Sequence, residues 1–276
     1  MIILRINGGL GNQMFQYAFG RFLADKYDQR MCIDFSQFIN SNRSYSLDMF
    51  PLKADILYDY NSEDLKYCKI FHLKEQKFEF NKQALNIIDR CNLKRTNILV
   101  SGYWQSPKYF CKIQSILEND FRHIYSIETS YQLLYDLIIN SKSVMIHIRR
   151  GDYLHFGNQE KHGVININYI KAGIKYYREV LSNVLFFVFS DDINWCRENL
   201  PHEEDVYLIN EDLDQGKTSF SLMRHCKYFI ISNSTFSWWA AYLSNFSDKK
   251  VICPKKWFND SNINTKDLIP TNWIKM

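Results

Sequence analysis

The chain has 276 residues, 46% of them apolar and 16% aromatic, with 18 Tyr, 20 Phe and a net charge of +4. That length suits one large or two modest domains with a sizeable core, and so much aromatic content excludes a disordered chain. The charge is too mild for nucleic acid as a partner, but it suits an anionic substrate or peripheral contact with an acidic membrane surface.

Met1-Ile-Ile-Leu-Arg-Ile6 begins as a β-branched strand and lacks the basic, apolar and cleavage regions of a signal peptide. Asn7-Gly-Gly-Leu-Gly-Asn12 follows, then an apolar segment from Gln13 to Tyr27, with Asn12 as the expected N-cap. Strand, glycine turn and helix in that order can cradle a phosphate on backbone N–H groups and the helix dipole. A simple tight turn accounts for the glycines equally well, since the run is neither G-x-G-x-x-G nor a P-loop.

Few elements can be placed in the polar, aromatic stretch 40–130. A strand at Ile98–Ser101 leads into Gly102-Tyr-Trp-Gln-Ser-Pro107, and a helix is expected near Tyr131–Ile139. The domain boundary belongs near 125–142, which divides the chain into 1–138 and 139–276. Seven cysteines, odd in number and without a C-x-x-C, read as reduced packing thiols of a cytoplasmic protein.

The most informative stretch is Val144-Met-Ile-His-Ile-Arg-Arg-Gly-Asp-Tyr153, a short buried strand that ends in two arginines, a glycine and an aspartate. Side chains alternate along a strand, so His147 and Arg149 leave one face while Ile146 and Ile148 leave the other. Two guanidinium groups at a strand's carboxyl end call for an anion, and a phosphate matches their forked donors. A solvated rim is the bland alternative for paired arginines. The Arg150-Gly151-Asp152 tripeptide of integrin ligands is discounted, because nothing else resembles an adhesion module.

Beyond it the elements alternate. A helix near Ile167–Ser182 precedes the strand Leu185–Phe189, which ends in Ser190-Asp191-Asp192. Its neighbouring residues Val184–Phe189 form an apolar run too short to span a bilayer. Then come a helix near Ile193–Leu200, a strand at Val206–Ile209 and a helix beginning near Thr218–Ser219. The strand Tyr228–Ile231 ends in Ser232-Asn-Ser-Thr-Phe-Ser237, a helix follows from Trp238 to Leu243, and Val251–Cys253 is a last strand stopped by Pro254. Such alternation implies a parallel, doubly wound sheet, which brings Arg149/Arg150, Asp191/Asp192 and Ser234/Thr235 to one edge. Arginines neutralise phosphates, hydroxyls and helix-start N–H groups hold phosphate oxygens, and an aspartate accepts two hydrogen bonds from a guanine edge or from a ribose. Asp212-Leu213-Asp214 could instead be a metal-holding D-x-D, or an ordinary acidic loop.

Four segments together resemble the α-1,2-fucosyltransferases of the glycosyltransferase family 11 type, within a wider group of α-1,6 and protein O-fucosyltransferases. They are Gly8-Gly-Leu-Gly-Asn-Gln-Met-Phe-Gln-Tyr-Ala-Phe19, His147-Ile-Arg-Arg-Gly-Asp-Tyr153, Phe189-Ser-Asp-Asp192 with Trp195-Cys-Arg-Glu-Asn199, and Ser232-Asn-Ser-Thr-Phe-Ser-Trp-Trp-Ala-Ala-Tyr-Leu243. The resemblance implies a GT-B arrangement, two Rossmann-type domains facing a cleft, with the donor site at strand carboxyl ends of the second. It implies transfer of L-fucose from GDP-β-L-fucose to the 2-hydroxyl of a terminal galactoside, with inversion, no cofactor and no essential metal. Arg149 would be the principal pyrophosphate ligand with Arg150 beside it, His147 and Asp191 would face the nucleotide, and Asp191 would read guanine. Ser234, Thr235 and the Phe236 backbone would hold the β-phosphate. The turn comprising Gly9, Gly11, Asn12 and Gln13 would close on the donor from the acceptor-side domain. Ser219 stands where the family carries an acidic residue, and a helix-capping role for it would survive that change. Asp152 is the candidate general base, with orientation of Arg149 as its alternative role.

The acceptor expected is a galactose-terminated oligosaccharide or lipid-linked glycan of surface polysaccharide or O-antigen. The expected setting is the cytoplasm of a bacterium, at the inner face of its membrane. A fucosyltransferase of another linkage and a catalytically silent GDP-sugar binder are the alternative functions.

Overall fold

The computed structural model describes residues 1–39, 41–57, 69–122, 127, 129–154, 157, 160, 162–210 and 216–276. The chain forms two compact units, Met1–Ile124 with Asn264–Pro270, and Tyr125–Ile263 with Thr271–Met276.

The first unit holds β1 (Ile2–Arg5), α1 (Leu10–Tyr27), β2 (Met31–Asp34), β3 (Asp55–Ile56), β4 (Lys69–Lys74), α2 (Lys82–Asp89), β5 (Thr96–Ser101) and α3 (Gln114–Asp120). Its strands form one parallel sheet in the order β3-β2-β1-β5-β4. Helix α1 is buried on nearly every side, as a helix apolar all round must be, with Met14, Phe15, Tyr17, Ala18, Phe19 and Leu23 out of solvent. Gly20 lets it approach the sheet closely: a Cβ there would lie 2.2 Å from Leu4 Cδ2. Phe19 stacks on Trp104 at 4.2 Å and 21°, extending the core toward the turn after β5.

The second unit holds α4 (Gln132–Asn140), β6 (Lys142–Ile148), α5 (Ile167–Val180), β7 (Val184–Ser190), α6 (Ile193–Asn199), β8 (Val206–Asn210), α7 (Lys217–His225), β9 (Tyr228–Ile230), α8 (Thr235–Tyr242), β10 (Val251–Cys253) and β11 (Ile274–Lys275). Its sheet is also parallel, in the order β11-β10-β9-β6-β7-β8. From β6 the chain winds outward through β7 and β8, then jumps back to β9 and winds the other way. The switch therefore lies between β6 and β9, where an open α/β sheet leaves a crevice at its carboxyl edge.

The alternation expected along β6 holds. Val144, Ile146 and Ile148 bury against Ile170, Ile174 and Tyr177 of α5, while the His147 ring lies 5.8 Å from Phe236 of α8. Gly173 admits Ile230 against α5, and the Tyr177 hydroxyl donates to the Lys250 carbonyl at 2.7 Å. Burial raises the Tyr169 and Tyr177 phenols, which stay neutral donors to strand carbonyls.

Several boundaries differ from the sequence reading. The cut expected at 138/139 falls inside α4, which packs on α7 through Tyr135 and His225 (rings 5.1 Å apart) and belongs wholly to the second unit. Residues 264–270 return to the first unit because Asp267 accepts from the Phe80 N–H at 3.0 Å and pairs with Lys108. α1 starts at Leu10 with Gly9, not Asn12, as its N-cap, since the Gly9 carbonyl takes the Asn12 and Gln13 N–H groups. α8 starts at Thr235, three residues ahead of Trp238. Ser219 caps nothing: it lies buried within α7, whose N-cap is Gly216. Cys32, Cys91, Cys111, Cys196, Cys226 and Cys253 are free thiols, and no described helix is long and apolar enough to cross a membrane.

Candidate active site

The carboxyl ends of β6, β7 and β9 bring the second unit's predicted residues together. His147, the last but one residue of β6, shares a hydrogen atom with Ser232 beyond β9, Nδ1 to Oγ at 2.7 Å. That bond spans the switch between the two strands. Both groups are buried, so the imidazole is fixed in place rather than swinging in solvent.

Arg149 and Arg150 emerge where β6 ends. The Arg149 guanidinium pairs with Asp191 Oδ2 at 3.0 Å and sits 5.9 Å from the Tyr153 ring. Asp191 Oδ1 accepts the Arg150 backbone N–H at 2.8 Å. A Cβ on Gly151 would lie 2.7 Å from Asp191 Oδ2, so the turn accommodates this carboxylate only with glycine there. Asp191 thus spends one bond from each oxygen on shaping the arginine turn. Each oxygen keeps a second lone pair for a ligand.

Arg150 is held differently. Its Nε donates to Asp192 Oδ2 at 3.1 Å, and its guanidinium lies over the Trp195 ring at 4.0 Å. Asp192 is also the N-cap of α6, accepting the Trp195 N–H on Oδ1 at 3.1 Å. One carboxylate therefore starts the helix, brings Trp195 over the arginine and orients the guanidinium. Trp195 had no role in the sequence reading; the signal was its place three residues after a capping aspartate. Burial pushes the neighbouring Cys196 thiol up to about 11, which keeps it neutral and unreactive.

On the β9 side Ser234 is the N-cap of α8, its Oγ accepting the Phe236 N–H at 3.3 Å. Thr235 and Phe236 form the helix's first turn, half exposed, with the Phe236 ring against Phe220 at 5.4 Å. The helix start thus has the geometry of an anion site, although Ser234 already engages one of its N–H groups. Asn233, which also had no assigned role, is a clasp: its amide donates to the carbonyls of His162 at 2.7 Å and Trp257 at 3.1 Å. The Tyr153 hydroxyl donates to the Asn233 carbonyl at 3.2 Å, and the Tyr153 ring stacks on His162. The Asp152 side chain and residues Asp212 and Asp214 lie outside the described residues.

The glycine turn belongs to the first unit. Gly8 has φ +79, where only glycine is comfortable, and Gly9 is half exposed. Gln13 is fully buried, donating to the carbonyls of Gly8 and Ser44 and accepting the Ser46 N–H. Its side chain thus clasps the 44–46 loop to the glycine turn. Gly11 is buried in the helix, and Asn12 Oδ1 accepts from Gln105 at 2.7 Å.

The family model for glycosyl transferase family 11 matches residues 1–276. The chain belongs to glycosyl transferase family 11. An alpha-1,2-colitosyltransferase of Escherichia coli is 30% identical to this glycosyltransferase over all of its length and 99% of the relative's. The O-antigen biosynthesis glycosyltransferase WbnK of the same organism is 29% identical, covering 98% of this chain and 99% of the relative. A bovine (Bos taurus) galactoside alpha-(1,2)-fucosyltransferase 2 is 27% identical over 86% of this chain and 67% of its own. Among solved structures, NodZ alpha-1,6-fucosyltransferase co-crystallised with GDP superposes with a TM-score of 0.54 at 13% identity, covering 87% of this chain and 90% of the other. POFUT1 in complex with GDP-fucose gives 0.54 at 14% identity, covering 88% and 93%. The fold of this family 11 glycosyltransferase is GT-B-like.

Proposed function

We propose that this glycosyltransferase moves L-fucose from GDP-β-L-fucose to the 2-hydroxyl of a terminal galactoside, forming an α-1,2 linkage with inversion. The observation that carries the reading is the Arg149–Arg150 turn at the β6/β9 switch, flanked by the α8 helix start. In transfer the bond from C1 of fucose to the diphosphate breaks and a bond from the acceptor oxygen to C1 forms on the opposite face. Negative charge grows on the leaving GDP as positive charge grows on the sugar. Arg149 and Arg150 neutralise the leaving diphosphate, and the first-turn N–H groups of α8 with Thr235 hold its outer phosphate. His147 and Asp191 face the nucleotide, with guanine on Asp191's remaining lone pairs. The acceptor's proton passes to a base, for which Asp152, next after the arginine turn, is our candidate.

Full-length likeness to the colitosyltransferase supports a second reading for the donor alone, with colitose, the 3-deoxy counterpart of L-fucose, as the sugar moved. Likeness to WbnK supports an O-antigen glycan as the acceptor.

The test is transfer from GDP-fucose and GDP-colitose, separately and in competition, to a galactoside panel, followed by linkage analysis. The proposal expects fucose on O2. Transfer to O6 or to protein overturns the linkage, preference for GDP-colitose installs the second donor, and no transfer from either overturns both. Because two guanidinium groups carry the neutralising charge, EDTA should leave most activity intact. Complete loss on chelation, restored by manganese, would overturn the arginine mechanism.

A further inference from the structure

The turn after β5, Gly102-Tyr-Trp-Gln105, is held in a shape that its sequence resists. Gly102 has φ +128, and a Cβ there would stand 2.3 Å from Glu75 Cβ. Trp104 has φ +55, a left-handed conformation unfavourable for a bulky aromatic residue. Glu75, the first residue after β4, supplies the restraint. Its Oε2 accepts the Tyr103 N–H at 2.7 Å and its Oε1 the Trp104 N–H at 3.0 Å, while its own N–H donates to the Ser101 carbonyl. Gln105 completes the clamp by donating to Asn12 Oδ1 in the first turn of α1.

The consequence is the placement of Tyr103. It sits between Gly102, where only glycine fits, and the strained Trp104, and is 39% exposed, the one aromatic among the described large apolar residues left in solvent. Beside it, Trp104 Nε1, a donor, and Gln105 Oε1, an acceptor, are buried without a hydrogen-bond partner among the described residues. Strain and unsatisfied polar atoms both cost stability, and burying Trp104 does not require Tyr103 to stand out. A ligand with an apolar face would use the exposed Tyr103 ring. Galactose has that form: its axial 4-hydroxyl leaves the C–H groups of carbons 3, 4 and 5 together on one face, which stacks on an aromatic ring.

We infer that Tyr103 is the platform on which the acceptor's galactose stacks, and that Glu75 is the positioning residue that holds it there. The inference rests on the galactoside reading above. It assigns acceptor recognition to a turn of the first unit, whereas the phosphate-binding arginines belong to the second, so donor and acceptor effects should separate.

The experiment is a steady-state comparison of Tyr103→Ala, Tyr103→Phe and Glu75→Gln with the wild type, with GDP affinity measured by calorimetry. Tyr103→Ala should raise the acceptor KM by about tenfold, the scale of one aromatic stack, with donor KM and GDP Kd unchanged. Tyr103→Phe should keep the acceptor KM near the wild-type value, because the ring survives. Glu75→Gln should raise the acceptor KM without moving GDP Kd, since an amide accepts one of the two N–H groups that the carboxylate holds. An unchanged acceptor KM in Tyr103→Ala, in an enzyme that transfers to galactosides, overturns the inference. If the wild type transfers to no galactoside, the reaction reading fails separately. Titration of methyl galactoside into the wild type and Tyr103→Ala then decides the platform: weaker binding in the variant sustains it, and equal or absent binding removes it.

Discussion

Arg149 and Arg150 leave the same strand end yet are held by unlike partners. Arg149 has Asp191 and the Tyr153 ring; Arg150 has Asp192 and lies flat on Trp195. A guanidinium already fixed over an indole is the less able of the two to follow a moving phosphate, which leaves Arg149 as the principal charge on the leaving group. Arg149→Ala should therefore lower kcat/KM by at least about a hundredfold, the scale of losing one oriented donor. Arg149→Lys should recover little of it, because an ammonium lacks the planar fork. Near-normal turnover in Arg149→Ala would sink the phosphate assignment. Asp191 offers a sharper comparison, because its oxygens shape the turn as well as standing where guanine is expected. Asp191→Asn should weaken inorganic pyrophosphate in a calorimetric titration, since the turn loosens, and weaken GDP by a larger factor, since an amide cannot accept both guanine N–H donors. Weakening of GDP alone would make Asp191 a guanine reader with no part in holding the turn.

At the scale of elements, the residues that carry charge were legible, and so was the start of α6 at Ile193, but the start of α8 was not. The arginine strand, the aspartate pair and the serine-threonine stretch all stand at strand ends, because parallel α/β alternation is written in the apolar periodicity. The clasp that Gln13 makes was not legible, because its partners lie in the 44–46 loop and nothing local to Gln13 points there. The start of α8 was hidden because the apolar run begins only at Trp238, whereas Ser234 caps and Thr235 is already helical. Likewise Gly-Leu-Gly-Asn looks like a turn, but burial of Gly11 favours a helix that local propensity disfavours. Much of 40–130 stayed illegible because β3 has two residues and most of the β4 side chains face solvent, so neither shows an apolar pattern. Gly20 turns this into a measurement. Alanine ordinarily strengthens a helix by about 1 kcal/mol over glycine, but a Cβ here would meet Leu4 Cδ2, Cδ1 and Cγ within 2.7 Å. Leu4 is buried in β1 and the whole side chain must shift, an overpacking cost of about 1–3 kcal/mol. Gly20→Ala should lower the thermal midpoint by a few degrees in calorimetry, and a raised midpoint would show that the close approach of α1 to β1 is wrong.

For the whole molecule, two units were expected from the sequence, but not the way the chain returns. The 264–270 segment carries no periodicity that marks it as part of the first unit. Its place depends on Asp267 meeting the Phe80 N–H, a contact 187 residues apart, and on Lys108. Burial pushes the Asp267 carboxyl up, but the Lys108 hydrogen bond, the Phe80 N–H and the charges of Lys108 and Lys266 outweigh it, so the pKa is lowered. The sign of the linkage follows. A carboxyl with a folded pKa below its unfolded value of about 3.9 contributes stability in full above that value, and loses it as pH falls through the folded pKa. Asp267→Asn keeps the side chain's shape but can no longer supply a charge to Lys108. The variant should therefore melt below the wild type at neutral pH, and the gap should persist down to about pH 5. Below about pH 4 the gap should close, as the wild-type carboxyl also becomes neutral. A gap that stays constant to pH 3 would mean that the variant suffers from the lost acceptor oxygen and not from the lost charge, and no gap at neutral pH would mean that the returning segment is not held by this charge pair.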